Sequence, residues 1–194
     1  MALRHSATLL SLIFFAHPIV AQSDRTDFDI DNDGLIEINS LADLEAIHSG
    51  VDGKSLYGKS TGCPTSGCIG FELTRTLDFD SNGDSVIDGR DWREGQRWFS
   101  LGDSQYPFSA VFDGNGYEIR NLRVKEIYPA GLFGVTENAT IKNVGITGRW
   151  THIESTDATA GTLIGDAKNT VVSGIYVSGR VQGRSYSGGI IGSA

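Results

Sequence analysis

Ile119-Arg-Asn121-Leu122-Arg-Val124, Ile141-Lys-Asn143-Val144-Gly-Ile146 and Val172-Ser-Gly174-Ile175-Tyr-Val177 carry apolar residues at the same first, fourth and sixth places. They are offset by 22 and then 31 residues. A second motif follows each: Gly131-Leu-Phe-Gly134, then Gly161-Thr-Leu-Ile-Gly165 with one insertion, then Gly189-Ile-Ile-Gly192. Short alternating segments repeated every 20 to 31 residues, without helical periodicity, point to a β-solenoid. The expected fold is therefore all-β, a right-handed parallel β-helix, with a β-sandwich as the alternative. Each circuit would stack on the next at about 4.8 Å, apolar side chains inside. The 25 glycines in 194 residues fit the sharp corners such a path needs.

The first half reads as the start of the same stack. Leu41, Leu44 and Ile47 have helical spacing after Ser40, a candidate N-cap. A short amphipathic helix over Leu41–His48 would cover an otherwise exposed sheet edge. Phe71 to Leu77, Trp98 to Leu101 and Phe108 to Phe112 read as strands, with a turn at Asp113-Gly-Asn-Gly116.

Phe112-Asp-Gly-Asn-Gly116-Tyr-Glu-Ile119-Arg-Asn121-Leu122, the tetrad Gly131-Leu-Phe-Gly134 and Ile141-Lys-Asn143-Val144 together resemble the GLUG-motif proteins. The resemblance covers Trp98 to Gly192, and more weakly Glu37 to Leu77. It implies a bacterial secreted or cell-surface protein with a β-helical stack, often within a large adhesin. Some relatives are immunoglobulin-cleaving metallopeptidases. The inserted Thr162 departs from the tetrad.

Charge is divided unevenly along the chain. Gln22 to Asp113 has 18 Asp plus Glu against 7 Lys plus Arg, whereas Gly114 to Ala194 has 6 against 8. The net charge of -8 disfavours nucleic acid, whose phosphates need Lys and Arg. The acid gathers in two runs. The first places Asp29, Asp31, Asp33, Gly34 and Glu37 at the first, third, fifth, sixth and ninth positions of a calcium loop, with Ser40 at the twelfth. The second places Asp80, Asn82, Asp84, Asp88 and Asp91 at the first, third, fifth, ninth and twelfth, with Ser85 at the sixth. Each run misses one position, and a different one. Carboxylates this dense repel unless a cation or solvent screens them, so calcium is the expected ligand, against a plain reading as solvated turns.

Arg4, the apolar stretch Ala7 to Ala16 and the small Ala21 before a polar run form an export signal over 1–21. No second apolar run is long enough to span a bilayer. An acidic cap region over 22–97 and the GLUG-type repeats over 98–194 complete the expected organisation. In an oxidising compartment Cys63 and Cys68, the two cysteines, read as a disulfide. No His lies near them to make a zinc site. The end after Gly192 predicts a fragment of a longer protein or an end sealed by a partner.

No His-Glu-x-x-His occurs. The expected function is a non-catalytic extracellular module for adhesion or ligand binding, its partner a protein or glycan. Tyr106, Tyr128, Trp150 and Tyr186 are candidates for stacking on sugars or ordinary surface residues. The alternatives are a polysaccharide lyase or hydrolase, using Asp113, Glu118, Asp157 or Asp166 with Arg120 or Arg149, and a structural stalk.

Overall fold

The computed structural model describes residues 25–194. The export signal over 1–21 lies outside the described residues. The chain is almost wholly β. It begins with β1 (Leu35–Ile38) and one short helix, α1 (Leu41–Ala46). Ser40 caps α1 as expected: its backbone is extended and its Oγ accepts the Asp43 N–H at 3.1 Å. α1 stops at Ala46, and His48 sits in a 3-10 turn, Ile47–Ser49, beyond it. There its ring lies 5.5 Å from that of Trp98. Leu44 and Ile47 are buried, so the apolar spacing located the covering face but not the helix end.

Four further passages of chain follow. The first has β2 (Gly70–Leu73) and β3 (Leu77–Asp78). The next has β4 (Val111–Asp113), β5 (Glu118–Arg120), β6 (Arg123–Glu126) and β7 (Phe133–Glu137). Then come β8 (Thr140–Lys142), β9 (Gly145–Thr147), β10 (His152–Ser155), β11 (Ala160–Gly161) and β12 (Ile164–Lys168). The last has β13 (Val171–Ser173), β14 (Tyr176–Val177), β15 (Arg180–Gly183), β16 (Ser187–Gly188) and β17 (Ile191–Ser193). Successive passages meet the sheets in the same order, β1-β2-β4-β8-β13, β3-β5-β9-β14, β6-β10-β15, β11-β16 and β7-β12-β17, with strands in two of them from the β2–β3 passage, in four from the next and in all five from the last two. Every pairing of named strands is parallel. A β-sandwich is built from antiparallel sheets, so that alternative does not describe this chain.

In-register pairing puts like residues on like. Ile36, Phe71, Phe112, Ile141 and Val172 form one ladder. Leu77, Ile119, Ile146 and Val177 form a second. Val124, Ile153 and Val181 form a third, with Trp98 bridged to Val124. Leu101, Phe133, Ile164 and Ile191 form a fourth. Across the interior the Phe133 ring meets those of Phe108 at 4.6 Å and Phe112 at 5.4 Å. A core of this kind contributes about 1.5–3 kcal/mol per large side chain buried. Val172, Val177, Val181 and Ile191 of the last passage are only half-buried.

Three expectations need correction. Ile119 does not pair with Ile141. It pairs with Ile146, and the neighbour of Ile141 is Phe112. The Ile-x-Asn-apolar pattern occurs at two different corners, because each needs a residue in the left-handed region after a short strand. Asn121 (φ 61°) and Asn143 (φ 54°) supply it, Asn being the side chain that tolerates it best. Pattern therefore reported the bend, not the register. Phe71 to Leu77 is two strands broken at Thr74–Thr76, and of Phe108 to Phe112 only Val111 onward is strand. The third tetrad begins at Gly188: Gly161 pairs with Gly188 and Ile164 with Ile191. Gly189 thus occupies the place of the inserted Thr162, and the five-residue form is shared by two passages.

The closing glycine of each tetrad is required by space. A Cβ on Gly165 would lie 2.5 Å from Ala130 N, and one on Gly192 would lie 2.6 Å from Gly165 O. Backbone of the neighbouring passage fills the position a side chain needs. Gly165→Ala is expected to cost about 1–3 kcal/mol by overpacking. Gly189→Ala, with no atom within 4 Å of the added carbon, is expected to change stability by less than about 0.5 kcal/mol. Chemical denaturation of the two variants measures the difference.

Candidate functional site

The first acidic run forms a loop leading into β1. Its carboxylates close on the loop's own N–H groups. Asp29, fully buried, accepts from Asp33 N (3.1 Å) and Gly34 N (3.0 Å), while Asp31 accepts from Asp33 N (3.2 Å) and Asp33 from Leu35 N (2.7 Å). Gly34 at the sixth position has φ 91°, the turn expected of it. Glu37 lies on β1, and its Oε1 accepts the Ile30 N–H at 2.6 Å.

The sheet then adds a residue that the loop pattern did not contain. Glu37 is the register partner of Glu72 on β2. Glu72 in turn pairs with Asp113, and Asp113 with Lys142. Three acids thus stand in one column before the first base. Lys142 Nζ bonds Asp113 Oδ2 at 2.8 Å. Burial pushes the Asp113 carboxyl up, but Lys142 and the N–H groups of Asn115 and Asn143 outweigh it and hold it below the usual range. Glu37 and Glu72 lack such a partner. Burial raises both above the usual carboxylate range, only partly opposed by the Ile30 N–H at Glu37 and the Asn115 amide at Glu72. Glu37 and Glu72 are 5% and 7% exposed. Arg25, nearby, makes its ion pair with Asp43 at 3.8 Å.

Two carboxylate triads converge here. Ligand oxygens of Asp29, Asp31 and Asp33 lie within 4.8 Å of one another, and so do those of Asp31, Glu37 and Glu72. Asp31 belongs to both. Of the residues picked out by spacing, Asp29, Asp31, Asp33 and Glu37 are therefore brought together. Glu72 had no signal in the sequence beyond lying in an apolar strand.

The second run folds as a loop held by its own acids. Asp80 accepts from Ser85 N, Asn82 from Asp84 N, and Asp84 from Val86 N, each at 2.9 Å. Asp91 accepts from Asp88 N at 2.9 Å and Asn82 N at 3.4 Å. Ser85, where the loop pattern wants Gly, has φ 67°. No three carboxylates of this run converge as the first run's do, among the described residues. Arg90 pairs within this run instead, its guanidinium bonding Asp84 at 2.7 Å and Asp88 at 2.8 Å. It also holds the Asp88 carboxyl below the usual range. Trp150 braces the loop by donating from Nε1 to Ser85 O at 3.1 Å.

Cys63 and Cys68 are joined as a disulfide. It packs behind the first loop, with Cys68 Sγ 3.6 Å from Asp29 Oδ2. With both sulfurs oxidised, the cluster of Asp29, Cys63 and Cys68 offers no thiolate to a metal. Three of the four carboxylates weighed for catalysis are engaged separately, Asp113 with Lys142, Glu118 with Arg120 and the Tyr176 hydroxyl, and Asp157 with Arg184, and Asp166 is paired with none of them.

On another face a groove of about 460 Å³ runs between His48, Phe99, Asp103, Glu126 and Tyr128. Tyr106 lines an adjoining one with His48 and Asp103. Phe99, Tyr106 and Tyr128 are each more than 60% exposed. Glu126 lies at its floor, its oxygens accepting from Ser100 N and Ser100 Oγ at 2.9 Å, and burial raises its carboxyl above the usual range.

Halomucin of Haloquadratum walsbyi (strain DSM 16790 / HBSQ001) is similar to this chain, 26% identical over 169 residues. The match covers 82% of this chain and 2% of halomucin, so the chain spans about a fiftieth of that protein's length. No family model matches the chain. No solved structure matches it. Among the described residues no helix is long and apolar enough to cross a membrane.

Closing so short a loop stabilises by about 2 kcal/mol in the chain-entropy account. The double variant Cys63→Ser/Cys68→Ser is expected to lose about that much, read as an earlier denaturant midpoint. Adding reductant to the unaltered protein should produce the same shift.

Proposed function

We propose that the chain is a non-catalytic extracellular or cell-surface module, a right-handed parallel β-helix of GLUG type that binds a protein or glycan ligand. The in-register parallel sheets support the β-helix. Right-handedness is the general rule for parallel crossovers in a sheet. The likeness to a protein named as a mucin supports a surface setting, and the disulfide fits an oxidising compartment. Apolar ladders fill the interior of the described residues, which favours the outer faces for recognition.

The observation that carries ligand binding is the groove beside Phe99, Tyr106 and Tyr128. Exposed aromatic faces flanked by Asp103, Gln105 and Ser104 are what a sugar ring needs: an apolar face to stack on and polar groups for its hydroxyls. A glycan is therefore the preferred ligand of that groove. Large flat aromatics also anchor protein interfaces, with Tyr among the enriched types.

A panel of polysaccharides titrated against the protein tests the reading. Binding of at least one is expected, without turnover. Tyr128→Ala is expected to weaken it at least tenfold at unchanged melting temperature. Release of shortened sugars from any member of the panel would replace the binding module with an enzyme.

A further inference from the structure

We propose that Asp31, Glu37 and Glu72 hold a divalent cation of the calcium class, which clasps the loop before β1 to β2. The site does not depend on the groove or on the surface role above.

Three independent observations meet at this point. The first is convergence: the three side chains come from a loop and from two adjacent strands, yet offer oxygens within 4.8 Å of one another. Glu37 and Glu72 face each other because the parallel register requires it. Like charges directly opposite across a ladder destabilise it, so the pair needs a compensating group. The second is an unpartnered atom. Glu37 is 95% buried, given its 5% exposure, and its Oε2 has no hydrogen-bond partner. A buried carboxylate oxygen left without a partner costs about 1–3 kcal/mol or more, and an ionised one is at the high end. Its other oxygen accepts the Ile30 N–H, and the Glu37 carboxyl is one of the three whose oxygens converge. The third is charge. The carboxylates of Asp29, Asp31, Asp33, Glu37 and Glu72 gather here against a nearby cation, Arg25, which bonds the Glu37 carbonyl and Asp43, while Lys142 is paired with Asp113.

The donor set selects the ion. All the ligands are hard carboxylate oxygens, which suits calcium or magnesium over softer metals. Calcium takes about six to eight oxygens in flexible arrangements. Three carboxylates, up to bidentate, with water at the exposed Asp31 side meet that demand. Glu72 thereby fills the role that Ser40 at the twelfth loop position leaves open. In the second acidic run no three carboxylates converge among the described residues, and Arg90 bridges Asp84 and Asp88.

The consequence is mechanical. Glu37 is held in β1 and Glu72 in β2, so the cation would tie the first passage to the second where the acid column is least compensated. The disulfide braces the same loop from behind.

Calorimetric titration of the whole chelator-stripped chain with calcium chloride alone tests this. A saturable site with a Kd of about 10⁻³ M or tighter is expected, the range of extracellular calcium modules. Calcium should also raise the melting temperature. Glu72→Gln is expected to weaken binding at least tenfold and to abolish most of the calcium-dependent rise. Asp31→Asn, an exposed position whose change leaves the core intact, is expected to weaken binding comparably. Asp84→Asn/Asp88→Asn, which alters only the second run, should leave the site in place. No saturable heat and no melting shift in the unaltered protein would overturn the proposal. So would a calcium response in Glu72→Gln and Asp31→Asn equal to that of the unaltered protein. A Glu72→Gln variant that is simply more stable, with calcium response unchanged, would show that the pair shares a proton instead.

Discussion

Parallel hydrogen bonding in register repeats one side-chain position at intervals of about 4.8 Å along a ladder. Everything else in this chain answers to that spacing. At interior positions repetition is favourable, because Ile36, Phe71, Phe112 and Ile141 exclude water from one another. At outer positions the same repetition lines up Glu37, Glu72 and Asp113. Further along it becomes favourable again, with Lys142 on Asp113. The acidic column is thus a by-product of the geometry that builds the core.

The corners obey a second demand of the same ladder. Each passage must turn sharply without lifting off its neighbour. Left-handed residues do this, and Asn adds a hydrogen bond to the passage below: Asn115 to Glu72 at 2.6 Å, Asn121 to Asp78 at 2.7 Å, Asn143 to Asp113 at 3.1 Å. Where backbone approaches too closely for any side chain, as at Gly134, Gly165 and Gly192, only Gly fits. These requirements explain why Gly, Asn and Asp are abundant in a chain that has so little helix.

Much of this was legible from residues alone. The apolar alternation marked the ladders, the tetrads marked close backbone approach, and Ser40 marked the start of α1. The register was not legible. Corresponding positions lie 35, 41, 29 and 31 residues apart in successive passages, as Ile36, Phe71, Phe112, Ile141 and Val172 show. A pattern common to two corners could therefore be aligned a corner out of step, as Ile119 with Ile141 was. The loop acids were recognisable by local spacing, since Asx turns form within a few residues. Arg90 lies within the second set, two residues after Asp88 and six after Asp84, so its ion pairs are equally local.

The sequence by itself determined local geometry: which residues bend, which face inward, which acids share a loop and which two cysteines are close enough to join. Those outcomes depend on contacts within about ten residues, and composition and spacing record them. Only the tertiary structure decided which passage lies on which. That put Glu72 opposite Glu37, a juxtaposition across 35 residues that depends on the length of the intervening chain. Loop length carries no periodic signal, so the one residue that completes the carboxylate cluster appears only once the ladder is assembled.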